Sequence, residues 1–122
     1  MRLRYLLLIA ALSAVIAGLQ FIALSEFLYW RFWWFDMVMH FLGGMLIAGI
    51  ALFSAIFVLK TKQLFLVWLL GLVSIGIGWE VFELLTGMYR AENYVLDTSI
   101  DLLMDTFGAL AVYSVVTYER KN

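Results

Sequence analysis

The chain reads as an all-α polytopic membrane protein, with four transmembrane helices in a compact antiparallel bundle. Three observations predict this. Of its 122 residues, 66% are hydrophobic, and the mean hydropathy is +1.00, far above the soluble average. The apolar residues gather in four runs, each long enough to cross about 30 Å of hydrocarbon. A soluble bundle of this size needs polar outer faces, and most of this chain offers none. The length suits a single membrane domain over residues 1–122.

The first span is expected from about Leu3 to Leu24. Its start, Met-Arg-Leu-Arg before an apolar run, has the outline of a secretion signal. The run is long, however, and no clean small-x-small site precedes a polar mature start, Ser13-Ala14-Val15 being a weak match. A signal anchor retained as the first helix is the expectation. Next comes Phe27-Leu28-Tyr29-Trp30-Arg31-Phe32-Trp33-Trp34-Phe35, a loop whose aromatic density suits the membrane–water interface. The second span runs from about Phe35 to Leu59, with Asp36 and His40 in its first turns. A short turn, Lys60-Thr61-Lys62-Gln63, makes the second and third spans antiparallel neighbours. The third span, Leu64 to Leu85, carries Glu80 and Glu83 near its end, and the fourth, Thr98 to Tyr118, contains Asp101 and Asp105.

Charge sets the orientation. Arg2, Arg4, Lys60, Lys62, Arg120 and Lys121 flank one side of the membrane, and only Arg31 and Arg90 lie on the other. The positive-inside rule then places both termini in the cytoplasm of a multi-pass cytoplasmic (inner) membrane protein. The formal net charge of −1 hides this separation: all carboxylates but Glu119 lie toward the outer side. The chain has no cysteine, so disulfides and thiolate metal sites are excluded. It has no proline to kink a helix. No basic stripe or nucleic-acid motif is present, and the lipid bilayer is the one certain partner.

Ionisable groups at membrane depth are costly and mark functional sites by default. Asp36 and His40, four apart, share a helix face, as do Glu80 and Glu83, three apart. Asp97, Asp101 and Asp105 form an i, i+4, i+8 row covering roughly 12 Å of helix. The second and fourth spans enter from the outer side and the third exits there, so all three clusters meet at similar depth. Asp36 and Asp97 stand at helix N-termini, where a carboxylate is favoured and caps backbone donors; Asp97 or Thr98 is the expected N-cap. Glu80 and Glu83 stand at a helix C-terminus, where the dipole disfavours them, and Asp105 lies two turns inside its helix. Arg31 and Arg90 are peripheral and too few to neutralise six carboxylates. These acids need protons, donors or a cation.

His plus carboxylates is a hard, oxygen-rich ligand set suited to Mg²⁺, Mn²⁺, Zn²⁺ or Ca²⁺. The lead reading is a divalent-metal site of Asp36, His40, Glu80, Glu83, Asp101 and Asp105, with Asp36 as ligand or as the group that orients His40. If it is catalytic, Glu80 and Asp101 are the candidate catalytic residues, for hydrolysis or transfer at an envelope lipid or phosphate-type, lipid-linked substrate. Two alternatives stand beside it. A proton- or ion-coupled transporter uses the same residue types, although the inner half has no ionisable residue and a through-path would need an oligomer. A structural scaffold would use buried acids to lock helix packing. Gly43, Gly44, Gly76, Gly78 and Gly108 neighbour the clusters and let helices approach closely.

The same residues carry a resemblance. Phe35-Asp36-Met37-Val38-Met39-His40-Phe41-Leu42-Gly43-Gly44 resembles the Asp-x-x-x-His-Phe-x-x-Gly signature of the YjdF-type inner-membrane proteins. Glu80-Val81-Phe82-Glu83 is similar to that family's Glu-x-x-Glu. Asp97-Thr98-Ser99-Ile100-Asp101-Leu102 is similar to its Asp-Thr-x-x-Asp element, and Gly108-Ala109 to the Gly-Ala that follows. The resemblance covers about Phe35 to Ala111. A more distant likeness is to VanZ-like proteins, with an early His, a Glu, then Asp-x-x-x-Asn-x-x-Gly; here Asp105 stands where that pattern has Asn. The resemblance implies an integral membrane protein with a shared polar site. It supplies no reaction.

Overall fold

The structure, a computed structural model, describes residues 2–86 and 93–121. Four long helices account for nearly all of it: α1 (Arg2–Ser25), α3 (Phe35–Ala55), α4 (Thr61–Thr86) and α5 (Tyr94–Lys121), with a short α2 (Leu28–Arg31) between the first two. Each long helix is sufficiently long and apolar to cross a membrane. The protein is a polytopic, all-α membrane bundle, and its outer surfaces are apolar because lipid, not water, solvates them.

α3 is the central element. It packs against α1, α4 and α5, most intimately against α5, while the backbones of α1 and α4 do not come close to each other among the described residues. The α3–α5 approach has a specific cause. A side-chain Cβ added at Gly44 would collide with the carbonyl oxygen of Asp105 and lie 2.7 Å from its carbonyl carbon. One added at Gly108 would collide with the carbonyl oxygen of Phe41 and lie 3.0 Å from the Met45 nitrogen. Two glycines thus press backbone on backbone, the contact that small residues permit in lipid. Gly18 and Gly78, by contrast, face open space.

α4 buries one narrow stripe: Leu64, Trp68, Leu72, Gly76 and Glu80, every fourth residue. Its apolar part joins Ala48, Leu52, Ala55, Ala109 and Val116 in a core that fills the half of the bundle nearer the termini. The indole Nε1–H of Trp68 donates to the Ala109 carbonyl at 3.0 Å, tying α4 to α5 inside that core. The termini and the α3–α4 turn share one end, the basic end. There Tyr5 donates to Glu119 at 2.6 Å, Arg4 pairs with Glu119 at 3.1 Å, and the Arg2 guanidinium sits over the Phe57 ring.

The helix ends differ from the sequence pattern in four places. Span two stops at Ala55 rather than Leu59, because the chain reverses over 56–60 and turns Ile56 into the core. α4 begins at Thr61, inside the expected turn, because the Gln63 side chain accepts from the Lys60 N–H at 2.9 Å, half of a capping box. The aromatic loop contains α2, entered through Phe27 in the left-handed region (φ 57°), which a bulky residue adopts at a cost of about 1–2 kcal/mol. α5 begins at Tyr94, a turn earlier than Thr98. Its cap is neither Asp97 nor Thr98 but Asn93, whose Oδ1 accepts from the Leu96 N–H at 3.2 Å.

Candidate functional site

The antiparallel order of α3, α4 and α5 brings the first turns of α3 and α5 beside the last turns of α4. This acidic end holds His40 (7% exposed), Glu80 (4%), Asp101 (2%) and Asp105 (4%), all buried. Asp36, Glu83 and Asp97 are half-buried around them. The Gly44–Gly108 contact sets the spacing, since Asp105 precedes Gly108 by one turn and His40 precedes Gly44 by one turn.

His40 is the hub. Its Nε2 lies 3.7 Å from Asp101 Oδ2 and 3.9 Å from Asp36 Oδ1, and its Nδ1 lies 3.4 Å from Asp105 Oδ1. Both ring nitrogens therefore face carboxylates. The other Asp105 oxygen points toward Gly76 on α4, 3.5 Å from where a Cβ would stand. Glu80 reaches across from α4. Its Oε2 accepts from the Thr98 hydroxyl at 2.8 Å, and its Oε1 is buried with no hydrogen-bond partner among the described residues. A buried carboxylate oxygen without a donor is costly.

Two sets of side chains have ligand atoms within 4.8 Å of one another: Asp36, His40 and Asp101, and His40, Glu80 and Glu83. Ligands held at about 2.0–2.2 Å from one ion stand roughly 3–4.4 Å apart, so both sets are near the span of a metal site. No lysine or arginine among the described residues pairs with any of these acids. Arg31 pairs with Glu26 instead, at 4.0 Å and in the open. Arg90 lies outside the described residues, as does Glu92. Asp97 sits in the first turn of α5 and belongs to neither set.

Beside the cluster lies a cleft of about 360 Å³ between α1 and α4, floored by α3. Asp36, His40, Glu83 and Asp105 line it at the acidic end. Gln20 and Tyr29 line it too, and the Tyr29 hydroxyl donates to Gln20 Oε1. α1 brings no charge to the cleft and contributes this amide. Gln20 was visible as the one amide in an otherwise apolar run. Thr98 was visible only as a cap candidate, and its hydroxyl instead serves Glu80.

A family model described as Predicted membrane protein (DUF2238) matches residues 2–122. The chain belongs to this family. The match extends the YjdF-type resemblance from the motif region to the whole chain, α1 included. No curated protein and no solved structure matches the chain. Membership of the DUF2238 family fits the four apolar helices and leaves the chemistry to be argued from the acidic end.

Proposed function

We propose that the acidic end binds a divalent cation through His40, Glu80 and Glu83 or through Asp36, His40 and Asp101, with Asp105 holding the imidazole in place. The observation that carries this reading is Glu80 Oε1, buried and without a donor among the described residues, in a cluster that none of the described lysines or arginines pairs with. A cation offsets both the missing donor and the crowding of like charges. Asp105 faces Nδ1 while the other nitrogen faces Asp36 and Asp101, which supports the arrangement in which a carboxylate orients a ligating histidine. The orienting role therefore passes from Asp36 to Asp105.

Hard oxygen ligands with one imidazole favour Mg²⁺, Mn²⁺, Zn²⁺ or Ca²⁺. Such an ion supplies a Lewis acid and an activated water, and the activity that suits it is hydrolysis or transfer on an envelope lipid or phosphate-type substrate. In that reaction the catalytic residues would be Glu80 and Asp101: with the ion on Asp36, His40 and Asp101, the Glu80 oxygen that lacks a donor would be free to take a proton, and with the ion on His40, Glu80 and Glu83 that part would fall to Asp101. The charge asymmetry supports both termini in the cytoplasm and the acidic end at the opposite face. The apolar core beneath the cluster, from Ala48 to Leu52 and Leu64 to Leu72, opposes a through-path for ions within one chain.

The test is the metal content of the purified protein in detergent, wild type beside the Glu80→Gln/Asp101→Asn double variant. Stoichiometric metal in the wild type and none in a folded variant is the expected result. Absence of metal, with thermal stability indifferent to added divalent ions, would overturn the cation reading in favour of protonated acids locking α3, α4 and α5 together.

A further inference from the structure

We infer that the cleft between α1 and α4 takes one membrane phospholipid, its acyl chain along the cleft and its phosphate at the His40 cluster. This rests on the cation reading above and adds the substrate class. The backbones of α1 and α4 each approach α3 and not each other among the described residues, and a cleft between two outer helices of a membrane bundle faces the bilayer.

The polarity of the cleft has a direction. Ile16, Ile47 and Ile75 line the deeper part, while Gln20, His40 and Glu83 line the acidic end. On each helix the apolar residue lies further from that end: Ile16 before Gln20, Ile47 after His40, Ile75 before Glu83. The offsets along α3 and α4 amount to roughly 10–12 Å, most of the ~15 Å depth of one leaflet's hydrocarbon. An amphiphile lying parallel to the helices, as lipids of that leaflet do, matches this gradient; a water-soluble molecule does not.

Among the described residues, the cleft's acidic end carries Asp36, Glu83 and Asp105 and no lysine or arginine. Carboxylates alone repel a phosphate. With a divalent ion on His40, the same end presents a cation, whose favoured ligand is a hard oxyanion. Gln20 adds to this: with its amide oxygen taken by Tyr29, it offers its N–H groups.

The experiment places the full chain in nanodiscs containing Mn²⁺ and a trace of phosphatidic acid bearing a diazirine on one acyl chain. Diacylglycerol with the same chain is the control. After irradiation, labelled peptides are mapped by mass spectrometry, and bound Mn²⁺ is measured on the same sample. Phosphatidic acid is expected to label the segments around Ile16 and Ile75 at least about tenfold more than diacylglycerol, a preference worth ~1.4 kcal/mol. Ile16→Trp, on α1 and away from the candidate ligands, should abolish that preference while leaving bound Mn²⁺ unchanged. Equal labelling by the two lipids, or labelling spread evenly to outward residues such as Leu66 and Leu70, would overturn the inference even with Mn²⁺ bound. Selective labelling by phosphatidic acid without bound Mn²⁺ would overturn the cation reading, and with it the inference that a metal ion draws the phosphate to His40.

Discussion

Gly44→Ala drives a methyl group into the backbone of α5. The added carbon would overlap the Asp105 carbonyl oxygen and sit 2.7 Å and 2.8 Å from the Asp105 carbonyl carbon and Cα. Carbon atoms pack at about 3.5–4.0 Å, so α3 and α5 must part by roughly 1 Å at that level. Backbone cannot rotate aside as a side chain can. Overpacking of this kind costs about 1–3 kcal/mol, and the upper part of that range is expected here. The separation also acts on the cluster one turn away, where His40 sits 3.4 Å from Asp105 and 3.7 Å from Asp101; widening these by about 1 Å takes both beyond direct interaction. Gly44→Ala and Gly108→Ala should therefore lower stability and divalent-ion affinity together. The double variant should cost less than the two singles combined, since both relieve the same contact. Gly18→Ala and Gly78→Ala, where nothing stands within 4 Å, are the controls and should be neutral or slightly stabilising. The assay is reversible unfolding in mixed micelles followed by circular dichroism, with ion binding measured by calorimetry. If Gly44→Ala and Gly108→Ala match the controls, α3 and α5 are not held backbone to backbone, and the account of how the cluster is assembled fails.

Thr98→Val removes the donor to Glu80 Oε2 and should weaken divalent-ion affinity by about 10–100-fold, as loss of a supporting partner does in metal sites; calorimetric titration with Mn²⁺ checks this, and unchanged affinity would remove Glu80 from the ligand set. Trp68→Phe keeps the ring in the core but loses the hydrogen bond to Ala109, so unfolding should show a loss of about 0.5–1.5 kcal/mol with no change in ion binding. Tyr5→Phe removes a hydrogen bond at the basic end; the loss should be under about 1 kcal/mol at this partly exposed position, with the acidic end untouched. Reporter fusions at both termini should find them on the cytoplasmic side; a reporter found active on the far side would reverse the orientation and turn the acidic end inward.

The four spans, their antiparallel order and the shared level of the acids were legible before any coordinates. Hydropathy and length are sums over neighbouring residues, and a bilayer leaves few ways to satisfy them. The position of Glu80 follows from the same logic, since Leu64, Trp68, Leu72, Gly76 and Glu80 already stand on one face at four-residue spacing. The helix ends were less legible. Asn93 rather than Asp97 caps α5, and Gln63 starts α4 within what read as a turn, because a cap depends on one side chain's reach rather than on periodicity.

What only the tertiary structure decided is which apolar faces meet. In water, a polar face marks the outside of a helix; in lipid, outward and inward positions are equally apolar, and the pattern does not fix how each helix is rotated. Nearness to the acids does not separate Gly44 and Gly108, which carry the α3–α5 contact, from Gly78, which was expected to allow close approach and faces open space. Nor does similar depth separate Asp101, buried against His40, from the half-buried Asp36 on the same nitrogen. The cleft beside them exists because α1 and α4 choose separate faces of α3. The sequence determined that a lone histidine and six acids share one end of a membrane bundle; rotation and register, set by backbone contact at two glycines, decided which of them touch.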